Sequence, residues 1–282
     1  MKLSRGVQYV LISTLFFSAM QALVKGMPKF NSFEHIFFRS IIGWCLAVGV
    51  LLKEGVSLIG KNSKLLIFRG LVGCVSMFTF FYILTHIPFG SAVAFKYLSP
   101  IFAAIFAMFM LNEQITKSQW LYFLICFIGI ILLKGFDFRI SLFDLFIGLL
   151  SAMAGGLLFI VIKKIGDDDH PMVILHYFMF VSAFFSLWAA IPEWVTPEWS
   201  DWGGLLLIGA VGFVAQNYFT KAIQEPDEVS YLAVLRYTEV LFALVIGYLW
   251  FDEHYTLQSF LGLALIFVGL ILSFREKQKI KP

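Results

Sequence analysis

Three ionisable residues stand deep inside long apolar runs of this sequence: Lys96, Arg236 and Glu239. A charge there is costly to bury and faces a bundle interior or a water-filled cavity, so these positions are where chemistry is sought first. Lys96-Tyr97 and Arg236-Tyr237 lie 140 residues apart in similar surroundings. Two fixed cations suit a carboxylate or phosphate, and arginine adds a bidentate fork. Glu239 follows Arg236 by three residues, on the same helical face, which leaves two roles open. It neutralises Arg236, or it carries a coupled proton. Tyr97 and Tyr237 flank the cations, Gln216 and Asn217 precede Tyr218, and Tyr82 follows Ser76 and Thr79 on another run. The expected substrate-binding set is therefore Lys96, Arg236, Tyr97, Tyr237, Asn217, Gln216 and Tyr82. Arg39 and Arg69 lie near enough to the ends of their runs to snorkel toward the interface.

Other conspicuous residues point to structure. Glu113 and Glu253 repeat at the same offset just before Thr116 and Thr256, where they shape tight hairpins, and Thr116 with Gln119 has capping-box spacing. Asp167, Asp168 and Asp169 read as a solvated turn. The histidines His35, His86, His170, His176 and His254 show no metal-ligand spacing, and Cys45, Cys74 and Cys126 read as small buried hydrophobes without a disulfide. No His-Glu-x-x-His, nucleophile-base pair or Walker loop is present, so no catalytic residue, metal or cofactor is expected, and the reading is not an enzyme.

The elements that must position these residues follow from composition. Of 282 residues, 60% are hydrophobic, 18% aromatic and only 14% charged, with a formal charge of +3. Soluble domains are about 25% charged, so the composition is that of an integral membrane protein, and the small, scattered charge excludes a nucleic-acid partner. Ten apolar segments are predicted, each a spanning helix: 7–26, 34–52, 65–86, 90–111, 118–134, 143–163, 172–191, 202–223, 229–250 and 257–274. With the N-terminus inside, the inner connections hold Lys2, Arg5, Lys53, Lys61, Lys64, Lys117, Lys163, Lys164, Arg275, Lys277, Lys279 and Lys281. The outer ones hold only Lys25, Lys29, Lys134 and Arg139, which places both termini in the cytoplasm. Trp194, Trp199 and Trp202 suit an interfacial belt.

The 140-residue offset extends further. Leu111-Asn112-Glu113 matches Phe251-Asp252-Glu253, Thr116 matches Thr256, and Gly129 matches Gly269; Val24-Lys25 and Ile162-Lys163 end the first and sixth segments alike. Two five-helix halves result, 1–140 and 141–282. An odd number of spans forces the second half to enter from the opposite face, an inverted repeat. Such folds carry substrate sites at the midplane and work by alternating access.

Tyr97-Leu98-Ser99-Pro100-Ile101-Phe102-Ala103-Ala104, Leu111-Asn112-Glu113-Gln114-Ile115-Thr116 and the Gly129 helix, echoed by Tyr237-Thr238-Glu239-Val240, Gly247, Phe251-Asp252-Glu253 and Gly262, resemble the EamA repeat of the drug/metabolite transporter superfamily. The resemblance implies ten helices around a central cavity lined mainly by the first, third, fourth, sixth, eighth and ninth, and secondary transport of small metabolites. One departure is that Val240 replaces the proline equivalent to Pro100. The expectation is a secondary active transporter for a small anionic or zwitterionic metabolite, an amino acid or organic acid, in a bacterial inner membrane. Cationic or neutral drugs and a membrane-embedded enzyme are the alternatives. Partners are the substrate, the bilayer, and protons or a counter-substrate; a homodimer is left open.

Overall fold

The computed structural model describes residues 3–87, 92, 95–134, 140–252 and 256–280. Glu253, His254 and Arg139 lie outside them. The described residues contain no strand. Their α-helices are α1 (Arg5–Lys25), α2 (Ser32–Glu54), α3 (Ser63–His86), α4 (Ser99–Met110), α5 (Lys117–Lys134), α6 (Leu142–Ile165), α7 (Pro171–Ala190), α8 (Trp202–Gln224), α9 (Val229–Leu235), α10 (Thr238–Phe251) and α11 (Leu257–Ile280). Seven stretches among them are long and apolar enough to cross a membrane, with α9 and α10 together forming one; α4, α5 and α11 contribute shorter apolar helices. Hydrocarbon offers no partner for backbone N–H and C=O groups, so helices that satisfy these groups internally are the form such a composition takes. The chain is a multi-pass membrane protein.

Within a bilayer, close backbone approach replaces hydrophobic expulsion as the main source of helix packing. Helix α1 packs on α8 and α10, α2 on α7 and α8, α3 on α6 and α7, α4 on α6 and α9, and α5 on α11. Gly129 shows what the last pair demands, because a Cβ there would lie 2.6 Å from the Gly262 carbonyl oxygen. The capping box expected at the start of α5 is present: Thr116 N–H donates to Gln119 Oε1 at 2.8 Å, and Gln119 N–H donates to Thr116 Oγ1 at 3.1 Å. A second box, Asn31 with Glu34, opens α2, and the buried Glu34 also accepts from Val195 N–H at 2.6 Å, tying two loops at one end of the bundle. Beside it Lys29 donates to Glu198 and Asp201 at 2.7 and 2.8 Å. Those carboxylates raise the Lys29 ammonium above its ordinary value, and Lys29 holds Asp201 below the usual carboxylate range. With a depressed folded value, the Asp201 contribution is fully present above its unfolded value and fades as pH falls through the folded one.

Several expectations are corrected here. Glu113 does not simply shape its own hairpin; its carboxylate accepts Val229 N–H at 2.7 Å and Ser230 N–H at 3.0 Å, capping α9 from 116 residues away. The turn that frees it is left-handed at Asn112 (φ 55), as at its counterpart Asp252 (φ 49). Asp169 is not solvated. It is 3% exposed and accepts from Lys61 and Asn62 N–H, because a buried carboxylate satisfies the orphan donors of the loop before α3. Cys45 is exposed on α2, whereas Cys74 and Cys126 are buried; all three are free thiols. His176 stacks on Trp44 at 6.0 Å, but its Nδ1 is buried without a hydrogen-bond partner.

Candidate functional site

The fourth and ninth segments were expected as unbroken helices, and both are interrupted at the residues of interest. After Lys96 the chain makes a turn at Tyr97-Leu98 before α4. Arg236-Tyr237 separates α9 from α10. The turns use i to i+3 bonds: Leu98 N–H to the Phe95 carbonyl at 3.0 Å, Arg236 N–H to the Ala233 carbonyl at 3.1 Å and Tyr237 N–H to the Val234 carbonyl at 3.1 Å. In the first case Pro100 supplies the cause, since it lacks an N–H and its ring crowds the carbonyl four residues back, at Lys96. Val240 at the second has no such effect, so a proline is not what breaks that helix. A mid-helix stretch of tighter turn tilts one half-helix relative to the next and leaves backbone groups to be satisfied from outside.

Side chains from neighbouring segments meet those groups. Tyr237 Oη donates to the Tyr97 carbonyl at 2.9 Å, Thr238 Oγ1 donates to the Leu235 carbonyl at 2.7 Å, and Ser18 Oγ donates to the Glu239 carbonyl at 2.9 Å. Thr14 Oγ1 lies 3.0 Å from Thr238 Oγ1. Both tyrosine rings are buried, 6.1 Å apart. Tyr237 is therefore a strut across the two breaks, and neither ring is presented flat to an open space.

The Glu239 carboxylate stands at the centre, 1% exposed. Lys96 Nζ donates to Oε1 at 3.0 Å, Arg236 Nη2 donates to Oε2 at 2.6 Å, and Gln21 Nε2 donates to Oε1 as well. The expected pairing of Arg236 with Glu239 is present, but Lys96 joins it from the other half of the sequence. The two cations thus converge on one protein carboxylate. The Arg236 guanidinium is held between the Phe17 and Phe219 rings, at 4.8 and 5.1 Å, and its Nη1 is buried with no hydrogen-bond partner. Lys96 retains 32% side-chain exposure. Chemically, the cluster offers a carboxylate, a part-exposed ammonium and one uncommitted guanidinium donor, a set able to exchange its internal partner for a ligand carrying either charge.

The remaining expected residues are dispersed. Gln216 is 6% exposed on α8, and Asn217 beside it keeps its Oδ1 buried without a partner. Tyr82 stacks on His86 at 3.9 Å and meets Phe143 edge-on at 5.9 Å, in a cluster with Ile83 and Phe95. Ser76 and Ser151 exchange hydrogen bonds with each other's backbone carbonyls, joining α3 to α6. Of the two arginines expected to snorkel, Arg69 is fully buried with all three guanidinium nitrogens, whereas Arg39 is half-buried with its Nε enclosed. Missed in the sequence were Thr14, Ser18 and Gln21 on α1. Their i, i+4, i+7 spacing is that of one helix face and could have marked α1 as the wall facing Glu239. A cavity of about 420 Å³ lies elsewhere, between Tyr9, the Asp169 loop, Lys221 and Glu225, and contains none of the expected site residues.

Known proteins resemble this chain in sequence and in fold. The EamA-like transporter family matches residues 4–134 and again residues 142–275. The pseudopaline exporter CntI of Pseudomonas aeruginosa is 29% identical over 279 residues, 98% of each chain. The S-adenosylmethionine uptake transporter of Rickettsia prowazekii is 26% identical over 279 residues, 97% of this chain and 94% of that one. A crystal structure of another protein superposes over the whole of both chains with a TM-score of 0.85 at 18% identity, a likeness of fold. With most of its length covered by two successive matches, the chain belongs to the EamA-like transporter family.

Proposed function

We infer that this protein is a secondary active transporter that moves a small anionic or zwitterionic metabolite by alternating access, built from two inverted five-helix halves, 1–140 and 141–282. The observation that carries the reading is the Glu239 cluster, in which Lys96 belongs to the first half and Arg236 and Glu239 to the second, at two interrupted helices. Supporting the halves, the family matches twice, and exchanging them converts the observed α1–α8, α2–α8 and α1–α10 pairs into α6–α3, α7–α3 and α6–α4, which are also observed. In such an arrangement a substrate carboxylate takes Glu239's place on Lys96 and on the free Arg236 donor, while a substrate amine takes Lys96's place on Glu239. Rocking of one half against the other then exposes the loaded site to each face in turn. Relatives named for export and for uptake leave both directions in the family. Protons or a counter-substrate supply the driving force.

Two experiments test the reading. In proteoliposomes given a panel of labelled metabolites under imposed pH gradients, Lys96→Gln and Arg236→Gln should each weaken uptake at least several-fold, because a hydrogen bond to a charged group contributes about 1.5–3 kcal/mol. Unchanged transport in both variants discards the site. For topology, a reporter fused after Pro282 should be cytoplasmic and one inserted near Glu198 external, in the inner membrane of a bacterial host. Both on one side would mean that the span count is wrong.

A further inference from the structure

The turn between α8 and α9 is fastened from three directions, at the end of the bundle where α1 begins. Lys163 Nζ on α6 donates to the Glu225 carbonyl, and to the Asp227 carbonyl at 2.9 Å. Ser4, the N-cap of α1, donates from Oγ to Asp227 Oδ2 at 2.7 Å, and Asp227 is buried. Its carboxylate lies so close to the first turn of α1 that a Cβ on Gly6 would collide with it. Glu113, beyond α4, holds the Val229 and Ser230 N–H groups just after the turn. The ties from Ser4 and Glu113 join residues 1–140 to residues 141–282, whereas the Lys163 tie lies within the second set.

The helices gathered here also wall the Glu239 cluster. Helix α1 carries Phe17, Ser18 and Gln21, α8 carries Phe219, and α9 leads from the turn to Arg236 in seven residues, about 10 Å at 1.5 Å per residue. The ties between the two sets are hydrogen bonds, so water can replace them when the sets separate. Each side keeps its shape once parted. Ser4 Oγ still accepts from Val7 N–H to cap α1, and Lys163 still holds the turn by its backbone carbonyls. On another side Glu225 and Pro226 border the cavity of about 420 Å³, so the turn has room to withdraw.

We propose that the contact of Ser4 with Asp227 is the gate that closes the substrate path at this end, and that Lys163 is a positioning residue that presents Asp227 to Ser4. The gate rests on the transport reading, since rocking halves part this contact whenever the site opens on this face.

The test uses the full chain in proteoliposomes with the panel of labelled metabolites. A cysteine-free parent, with Cys45→Ala, Cys74→Ala and Cys126→Ala, carries Ser4→Cys and Asp227→Cys. Joining the two thiols, by oxidation or by a short bifunctional reagent, should cut transport at least tenfold, and release of the link should restore it. A fastening that stays closed through the cycle tolerates the same link, so equal flux in the joined and released forms overturns the gate. Lys163→Met should slow the joining at least several-fold, and Lys163→Arg, which keeps donors for the two carbonyls, should recover most of the rate. An unchanged rate in Lys163→Met removes the positioning role. If the released pair moves none of the metabolites, the gate is read without transport, from the distance between spin labels on Gln8→Cys and Glu228→Cys, both exposed positions, in the cysteine-free parent. Two distances are expected, the longer one enriched by Asp227→Asn; a single distance that Asp227→Asn leaves unchanged overturns the gate. Absence of flux in the parent itself counts against the transport reading, and the distances then decide the gate.

Discussion

Glu239→Gln should lower the melting temperature sharply and abolish transport together. The substitution is nearly isosteric, but it leaves Lys96 and Arg236 facing each other with no negative charge between them. Removing one partner of a buried pair typically costs about 3–5 kcal/mol, most of it the penalty of the charge left behind. Removing a cation as well should restore much of that loss, so Glu239→Gln combined with Arg236→Gln is expected to melt above Glu239→Gln alone, a non-additivity that marks a coupled cluster. Transport should stay lost in the double variant. The rival role makes a distinct forecast. If Glu239 is a proton carrier, Glu239→Gln keeps normal melting and normal exchange of substrate for substrate, and loses only uptake driven by a pH gradient. Melting, exchange and gradient-driven flux measured on one purified variant separate the two, and the tight engagement of both carboxylate oxygens favours pairing.

The second large effect is expected far from the cluster. Glu113→Ala strips the acceptor from two backbone donors, Val229 and Ser230 N–H, at the start of a seven-residue helix that ends just before Arg236. Hydrogen bonds to a charged acceptor contribute about 1.5–3 kcal/mol each, and a short helix has few other bonds to hold it, so the loss should be roughly 2–3 kcal/mol. Melting temperature should fall, and the apparent affinity for substrate should fall with it, because α9 sets where the Arg236 guanidinium lies. Glu113→Gln should be intermediate, since an amide oxygen still accepts. A variant with wild-type melting and affinity would show that solvent replaces Glu113 at that end of α9.

Much of the fold was legible because it depends on quantities that add up locally. Apolar run lengths marked the long apolar helices, and an offset of 140 residues linked Lys96 to Arg236 and Asn112 to Asp252, with no structure needed. The capping box at Thr116 and the ion pair between Arg236 and Glu239 were readable for the same reason, as each joins residues three apart along the chain. What tertiary structure alone decided were pairings between residues far apart in sequence, which periodicity does not encode. Lys96 reaches Glu239 across 143 residues, Gln21 across 218, and Glu113 caps a helix 116 residues on. The helix break at Arg236-Tyr237 also escaped, since no proline announces it and its freed groups are met by other segments. Arg39 and Arg69 were read as snorkelling because distance along a helix measures depth but not direction. In the folded protein neighbouring helices close over the whole Arg69 side chain and over Nε of the half-buried Arg39, which only tertiary packing determines.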